Sequence, residues 1–374
     1  MTGDTPPGFQ TVHVVQRMAP GGIETLVLDL ARRQPRTTSI ISLEGRVNEL
    51  CRDWPALDGV SHRLTAFDRA AGVTALLTWA LFRHLRSTRP SAVFVHHLAP
   101  LLYAGPAARL AGIRQLIHVE HDVWHYQRPN NRTLAGICGR VLRPRHVAVS
   151  PEVAEGMQSI FPGEPVTVIP PGIDMDRFQP GDRAAALDRL GLDPSRSFAG
   201  TVGRLVPVKS QGTLIQALAH LPLSVHVIIA GDGPERASLT GLAEHCGVTD
   251  RVHFLGHRED VESILPALDV FCLPSLNEGL PRCVLEAQAC GIAVVASDVG
   301  GLRSAVCPST GKLVAPSDDR ALAAALAEVL DAAPPADLTR GFVEARFSWT
   351  ATVHAFENIA GQPSGTSGNL GILS

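Results

Sequence analysis

Short apolar runs alternate along the chain with segments of helical period, the pattern of a parallel sheet wrapped by helices. In the first half, strands are read at TVHVVQ (11–16), TSIISL (38–43), AVFVHH (92–97), LIHVEH (116–121), HVAVS (146–150) and VTVIP (166–170). A Pro/Gly-rich passage, PPGIDMDRFQP at 170–180, then reads as a linker. The second half begins afresh with FAGTVGR (198–204), VHVIIAGDG (225–233), VHFLG (252–256), DVFCLP (269–274), AVVAS (293–297) and KLVAP (312–316). Helices are expected between them at 209–221, 235–246, 261–268, 281–290 and 319–332. SWTATVHAFENIA (348–360) reads as a last helix, and the tail from 362 as disordered.

The alternation runs twice, so the expected fold class is α/β with two Rossmann-like domains. The boundaries are placed at 1–172 and 173–340, with 341–361 as a C-terminal helix and 362–374 as the tail. A length of 374 residues suits two domains of ordinary size. No apolar run approaches the ~20 residues of a membrane-spanning helix. The start MTGDTPPGFQ lacks the charged and apolar regions of a signal peptide. Seven cysteines without CxxC spacing read as reduced thiols of a cytoplasmic protein rather than a disulfide frame or zinc site.

Charge is split unevenly. Residues 1–151 carry eighteen Arg against ten acids, net +8, while 152–374 carry fifteen Lys plus Arg against twenty-six acids, net −11. The first half is expected either to meet an anionic partner, such as a membrane surface or phosphorylated lipid, or to present a solvated basic face. No feature points to nucleic acid. The apolar, basic-ended segment 72–90, with Trp79 and Phe82, reads as a packed crossover helix or as a membrane contact.

The densest chemical signal is PSLNEGLPRCVLEAQACG, 274–291. A strand leads into a loop with Glu278 and Gly279, and Pro281 suits a first helical position. The amides of Gly279, Leu280 and the first turn then form a site for an anionic oxygen. Carboxylates this close to such a site suit the hydroxyls of a sugar. A structural alternative pairs Glu286 with Arg282, one turn earlier. This Glu-x7-Glu pattern, strand–EGLP–helix, resembles the signature of the retaining glycosyltransferases of family 4. The resemblance implies a GT-B architecture with Glu278 on the transferred sugar and Glu286 on the ribose.

Three further motifs match that family. In GTVGRLVPVKSQGTLIQAL (200–218), Arg204 ends a strand and Lys209 opens a helix, and the matching cations in the family hold the donor pyrophosphate. Lys209 is one of only two lysines beside thirty-one arginines, which suggests a site needing a compact ammonium. Gly21 and Gly22 sit between the first strand and a helix, where the family's loop approaches the donor. His121 matches the family's active-site His, and His118 and Glu120 are read as lying on opposite faces of its strand. Gly231 and Gly233 of IIAGDGPE lie where the family borders the donor, although turn chemistry alone would explain them. Departures are PPG at 170–172 for Pro-Asn-Gly, and Ser210 after Lys209 where Gly is common.

The expected activity is a metal-independent, retaining transfer of a sugar from a nucleotide-diphosphate donor to a sugar or lipid-linked sugar acceptor. Polysaccharide or glycolipid synthesis at the inner face of a bacterial membrane is the expected setting. Catalysis is assigned to Glu278, His121, Arg204 and Lys209, with charge on the departing diphosphate met by the two cations and the amides at 279–281. No cofactor or metal is expected. The Asp174-Met175-Asp176 string falls in the linker and carries no weight as a metal site. A nucleotide-sugar 2-epimerase of the same fold and a non-catalytic binding protein are the alternatives.

Overall fold

The computed structural model describes residues 10–34, 37–68 and 75–361. The chain divides into two compact units, one ending at Pro170 and resuming at Thr350, the other running Pro171–Trp349. The tail expected from 362, and residues 72–74 of the apolar segment, lie outside the described residues.

The first unit holds seven parallel strands: β1 (Thr11–Val15), β2 (Thr38–Ser42), β3 (Leu64–Ala66), β4 (Ala92–His96), β5 (Gln115–Glu120), β6 (Arg145–Ala148) and β7 (Val166–Val168). Their order is β3-β2-β1-β4-β5-β6-β7. The three-residue β3 was not foreseen: its LTA holds one large apolar residue, where the equally short β7 (VTV) and β13 (KLV) hold two. The order reverses between β1 and β4, and a doubly wound sheet takes ligands beside the carboxyl ends of strands at such a switch point.

The second unit holds β8 (Ser197–Val202), β9 (Val225–Ala230), β10 (Val252–Gly256), β11 (Val270–Leu273), β12 (Val294–Ser297) and β13 (Lys312–Val314). Their order, β10-β9-β8-β11-β12-β13, puts its switch point between β8 and β11. Side chains alternate across this sheet: Ile228, Phe271, Leu273 and Val294 enter one apolar cluster, and Val227, Ile229, Val270 and Val295 the other. The helix expected at 261–268 is Val261–Ile264 followed by a 3-10 turn Leu265–Ala267, because Pro266 has no amide to continue the ladder.

The helix Ala336–Arg346 packs on Arg282–Ala289 within the second unit, and the change of unit comes at Trp349. The helix from Trp349 to Gly361 then joins the first unit: Gln34 donates to Glu357 (2.7 Å), and Phe356 packs beside Phe94 and His13. In the apolar segment, the helix Ala75–Thr88 buries Leu77, Leu81 and Leu85 and packs on Leu98–Leu110 while Trp79 stays exposed. That is the geometry of a packed crossover helix. No described helix is long and apolar enough to cross a membrane. All seven cysteines are free thiols. The Asp174 carboxylate accepts from the amides of Asp176 and Arg177, closing a turn.

Candidate functional site

In the second unit, two loops meet at the switch point. Beyond β8, Gly203 donates to the Ala230 carbonyl and Leu205 to that of Asp232, while Gln211 holds the Arg204 carbonyl at 3.0 Å. A β-carbon on Gly231 would stand 1.9 Å from the Gly203 carbonyl oxygen, and one on Gly233 2.4 Å from that of Leu205. Both glycines are therefore required by close packing of the turn beyond β9 against the Arg204 loop. The chain continues through a 3-10 turn Pro207–Lys209 to the helix Gln211–Leu218, two residues later than expected. Ser210 between them is left-handed at φ +49°, which explains why glycine is common there.

Beyond β11, Leu276 donates to the Val208 carbonyl at 2.8 Å and so fastens the second loop to the first. Lys209 Nζ then lies 2.6 Å from Glu278 Oε1, which also accepts from Ser275 Oγ at 2.6 Å. Glu278 is 9% exposed and Lys209 20%. Burial would lower the Lys209 pKa, but the Glu278 carboxylate outweighs it and raises it. Arg204 is exposed, and its charge opposes that of Lys209. The structure thus brings Arg204, Lys209 and Glu278 together, with Gly231 and Gly233 as supports.

The helix Arg282–Ala289 is capped by Pro281, which stands outside the helix rather than at its first position. Pro281 also has no N–H, so the expected amide donors at 279–281 reduce to Gly279 and Leu280. Glu286 lies 3.7 Å from Arg282, whose guanidinium sits 5.7 Å from the Trp349 ring centroid. The Arg282–Glu286 pairing weighed as the structural alternative is therefore present. The Cys283 thiol in the first turn is pushed up to about 12 by burial.

In the first unit, Gly21 caps the helix Gly22–Arg33 in extended backbone, and a β-carbon on Gly22 would meet nothing within 4 Å. No positive φ demands glycine at either position, although a β-carbon on Gly21 would stand 2.4 Å from Glu24 Oε2 and displace that side chain.

His121, just past β5, belongs to a larger array that sequence reasoning missed. Buried histidines occupy four adjacent strands: His13 on β1, His96 on β4, His118 on β5 and His146 on β6. His13 Nδ1 meets His96 Nε2 at 3.0 Å, and His96 Nδ1 meets His121 Nε2 at 2.9 Å. Burial pushes His13 and His121 down to about 3, so this chain is neutral. Glu120 is fully buried and accepts from Tyr126 Oη (2.6 Å), the His121 amide (3.2 Å) and the His97 imidazole. His118 Nε2 lies 3.3 Å from Glu120, so those two share a strand face, as a two-residue period requires and contrary to the opposite-face reading. Burial alone would lower His97, but Glu120 and Asp122 raise it to about 9. The signal for this array was available as polar residues inside four otherwise apolar strands.

The family model for glycosyl transferases group 1 matches residues 182–341, and that for Glycosyltransferase Family 4 matches 20–177. A curated relative, the D-inositol 3-phosphate glycosyltransferase of Mycolicibacterium gilvum (strain PYR-GCK), is 41% identical over 215 residues, 54% of this chain and 48% of that protein. The Mycolicibacterium smegmatis protein of the same name is 41% identical over 201 residues, covering 51% and 46%. The matched stretch thus spans about half the length of these relatives. Among solved structures, Anabaena HepE in complex with UDP superposes with a TM-score of 0.83 at 22% identity, covering 95% of this chain and 100% of that one. WaaG, a glycosyltransferase involved in lipopolysaccharide biosynthesis, gives 0.73 at 19% identity, covering 94% and 100%. With both halves matched by glycosyltransferase models and both sheets doubly wound, the chain belongs to the family 4-like glycosyltransferases of GT-B fold.

Proposed function

We propose that the chain is a retaining glycosyltransferase moving a sugar from a nucleoside-diphosphate donor to a hydroxyl acceptor, with no metal needed at the diphosphate. The observation that carries this is Lys209, held on Glu278 where the loops beyond β8 and β11 meet. When donor binds, the ammonium turns to the diphosphate and Glu278 is freed to take sugar hydroxyls. Cleavage of the sugar–phosphate bond leaves charge on the diphosphate, and Arg204, Lys209 and the amides of Gly279 and Leu280 stabilise it. Glu286, oriented by Arg282, takes the ribose. The family resemblance assigns the transferred sugar to His121 as well. The bond to the acceptor oxygen forms on the face that the phosphate leaves, and the departing phosphate takes the acceptor's proton. Configuration is therefore retained.

The basic first unit receives the acceptor, a sugar or lipid-linked sugar of cell-surface polysaccharide or glycolipid synthesis, at the cytoplasmic face of the membrane. The name of the mycobacterial relatives supports a second acceptor, a phosphorylated polyol such as inositol 3-phosphate, whose phosphate also suits a basic surface.

The test is a panel of nucleotide sugars screened for a rise in melting temperature, because a ligand that binds the native state raises it. The stabilising donor is then incubated alone, with inositol 3-phosphate, and with lipid-linked sugars, without added Mg²⁺ or Mn²⁺. Acceptor-dependent product with the anomeric configuration of the donor is expected. Conversion of the donor alone to an epimer, or no turnover with any acceptor, would overturn the proposal.

A further inference from the structure

We propose that His97, Asp122 and His125 form a binding site for a single divalent d-block cation of the zinc type in the first unit. One ligand atom from each of the three lies within 4.8 Å of the other two. His97 Nε2 is 3.6 Å from Asp122 Oδ2, and His125 Nδ1 is 3.1 Å from Asp122 Oδ1. Ligands at 2.0–2.1 Å in a tetrahedron stand about 3.3 Å from one another, and the two distances to the Asp122 carboxylate bracket that value while the three ligand atoms stay within 4.8 Å. Two imidazoles and a carboxylate are also the ligand types such a cation takes, with the fourth position left to water.

The surroundings support the site more strongly than the three residues alone. Glu120 carries one oxygen on His97 Nδ1 and has the other 3.7 Å from His125 Nε2. The buried carboxylate thus backs His97 on its inner nitrogen and lies near the buried Nε2 of His125 without bonding it, while the outer nitrogens, Nε2 of His97 and Nδ1 of His125, face Asp122. A carboxylate behind a ligating imidazole orients the ring and raises its basicity. Glu120 is itself fixed by Tyr126 and the His121 amide. His97 is held at φ +71°, outside the usual range for a residue with a side chain, where β4 gives way to the helix Leu98–Leu110. The three ligands are 24%, 21% and 20% exposed, which leaves an entry path from solvent.

The cation would tie the segment after β5, including the 3-10 turn Trp124–Gln127, to the end of β4, beside His121, whose ring centroid is 5.4 Å from that of His97. This site does not rest on the assignment of sugar transfer, and its test reads metal rather than product.

Untagged protein is loaded with Zn²⁺, dialysed against metal-free buffer and assayed by mass spectrometry for metal content, in wild type, His125→Ala and Asp122→Asn. About one zinc per chain is expected in wild type, with affinity lowered at least ~tenfold in each variant. In wild type alone, diethyl pyrocarbonate labelling is expected to mark His125 without zinc and to spare it with zinc. His62 and His245 should label equally in both conditions. Absence of stoichiometric zinc, equal retention in folded variants, or unchanged labelling of His125 would overturn the proposal. The labelling arm decides the matter even if a variant fails to fold.

Discussion

Lys209 Nζ and Glu278 Oε1 are 2.6 Å apart, joined across 69 residues of chain at the point where the strand order of the second sheet reverses. An acid holding the cation that a diphosphate would need sets up an exchange of partners on binding. Removing Lys209 should therefore weaken a nucleoside diphosphate at least about tenfold, or about 1.4 kcal/mol. Lys209→Arg is expected to restore less than full affinity, because a planar fork does not fill the place of a compact ammonium. Titration calorimetry with the diphosphate reads both, and an unchanged dissociation constant in Lys209→Ala would remove Lys209 from the site. Glu278→Ala should leave the circular dichroism spectrum intact and abolish transfer.

The glycines of the second unit are not equivalent. Gly231→Ala puts a methyl 1.9 Å from the Gly203 carbonyl oxygen and must displace the Arg204 loop, at a cost of about 1–3 kcal/mol and with loss of donor binding. Gly241, inside the helix Arg236–His245, has nothing within 4 Å of an added β-carbon. Gly241→Ala should stabilise by about 0.5–1 kcal/mol. Urea midpoints of the two variants should move in opposite directions, and movement in the same direction would refute the packing argument.

Ser210 adopts φ +49° with no side-chain capping bond to the helix it precedes. A left-handed residue with a β-carbon costs roughly 1 kcal/mol. Ser210→Gly should recover part of that, although the contact of Ser210 Oγ with Thr213 Oγ1 at 3.0 Å is lost. A melting temperature that falls in this variant would show that the hydroxyl contact matters more than the backbone.

The neutral histidines make the first unit acid-labile. His13, His121 and His146 titrate near 3 in the folded chain against 6.5 when exposed, with burial the main cause for each. Between those values the unfolded chain binds more protons, so stability falls as pH falls, by up to about 1.4 kcal/mol per pH unit for each such histidine. His97, raised to about 9, acts oppositely: its contribution is complete below 6.5 and is lost as pH rises through about 9. Urea unfolding followed from pH 5 to pH 10 should place the first unit's greatest stability near pH 6.5, falling on either side as the buried histidines protonate below it and His97 loses its proton above it. A midpoint still rising below pH 6 would contradict the neutral array.

Local pattern was enough for the two runs of strands and helices, the segment bearing Arg204 and Lys209, and the Glu278 loop with the helix bearing Glu286. Each of these is written within a dozen residues, as a period, a turn residue or a charge at a strand end. The alternation could not reveal β3, which holds one large apolar residue, or the helix break at Pro266 that a continuous pattern disguised.

Strand order was beyond local reading, because it is decided by which apolar faces pack once distant segments meet. That order brings residues 13, 96, 118 and 146 onto neighbouring strands and sets Lys209 on Glu278. It also places His97 behind the carboxylate of Glu120 and beside Asp122. A histidine in an apolar strand looks like an isolated polar residue until its neighbours across the sheet are known. Its protonation and its partners are consequences of burial, and burial is a property of the assembled core rather than of the chain.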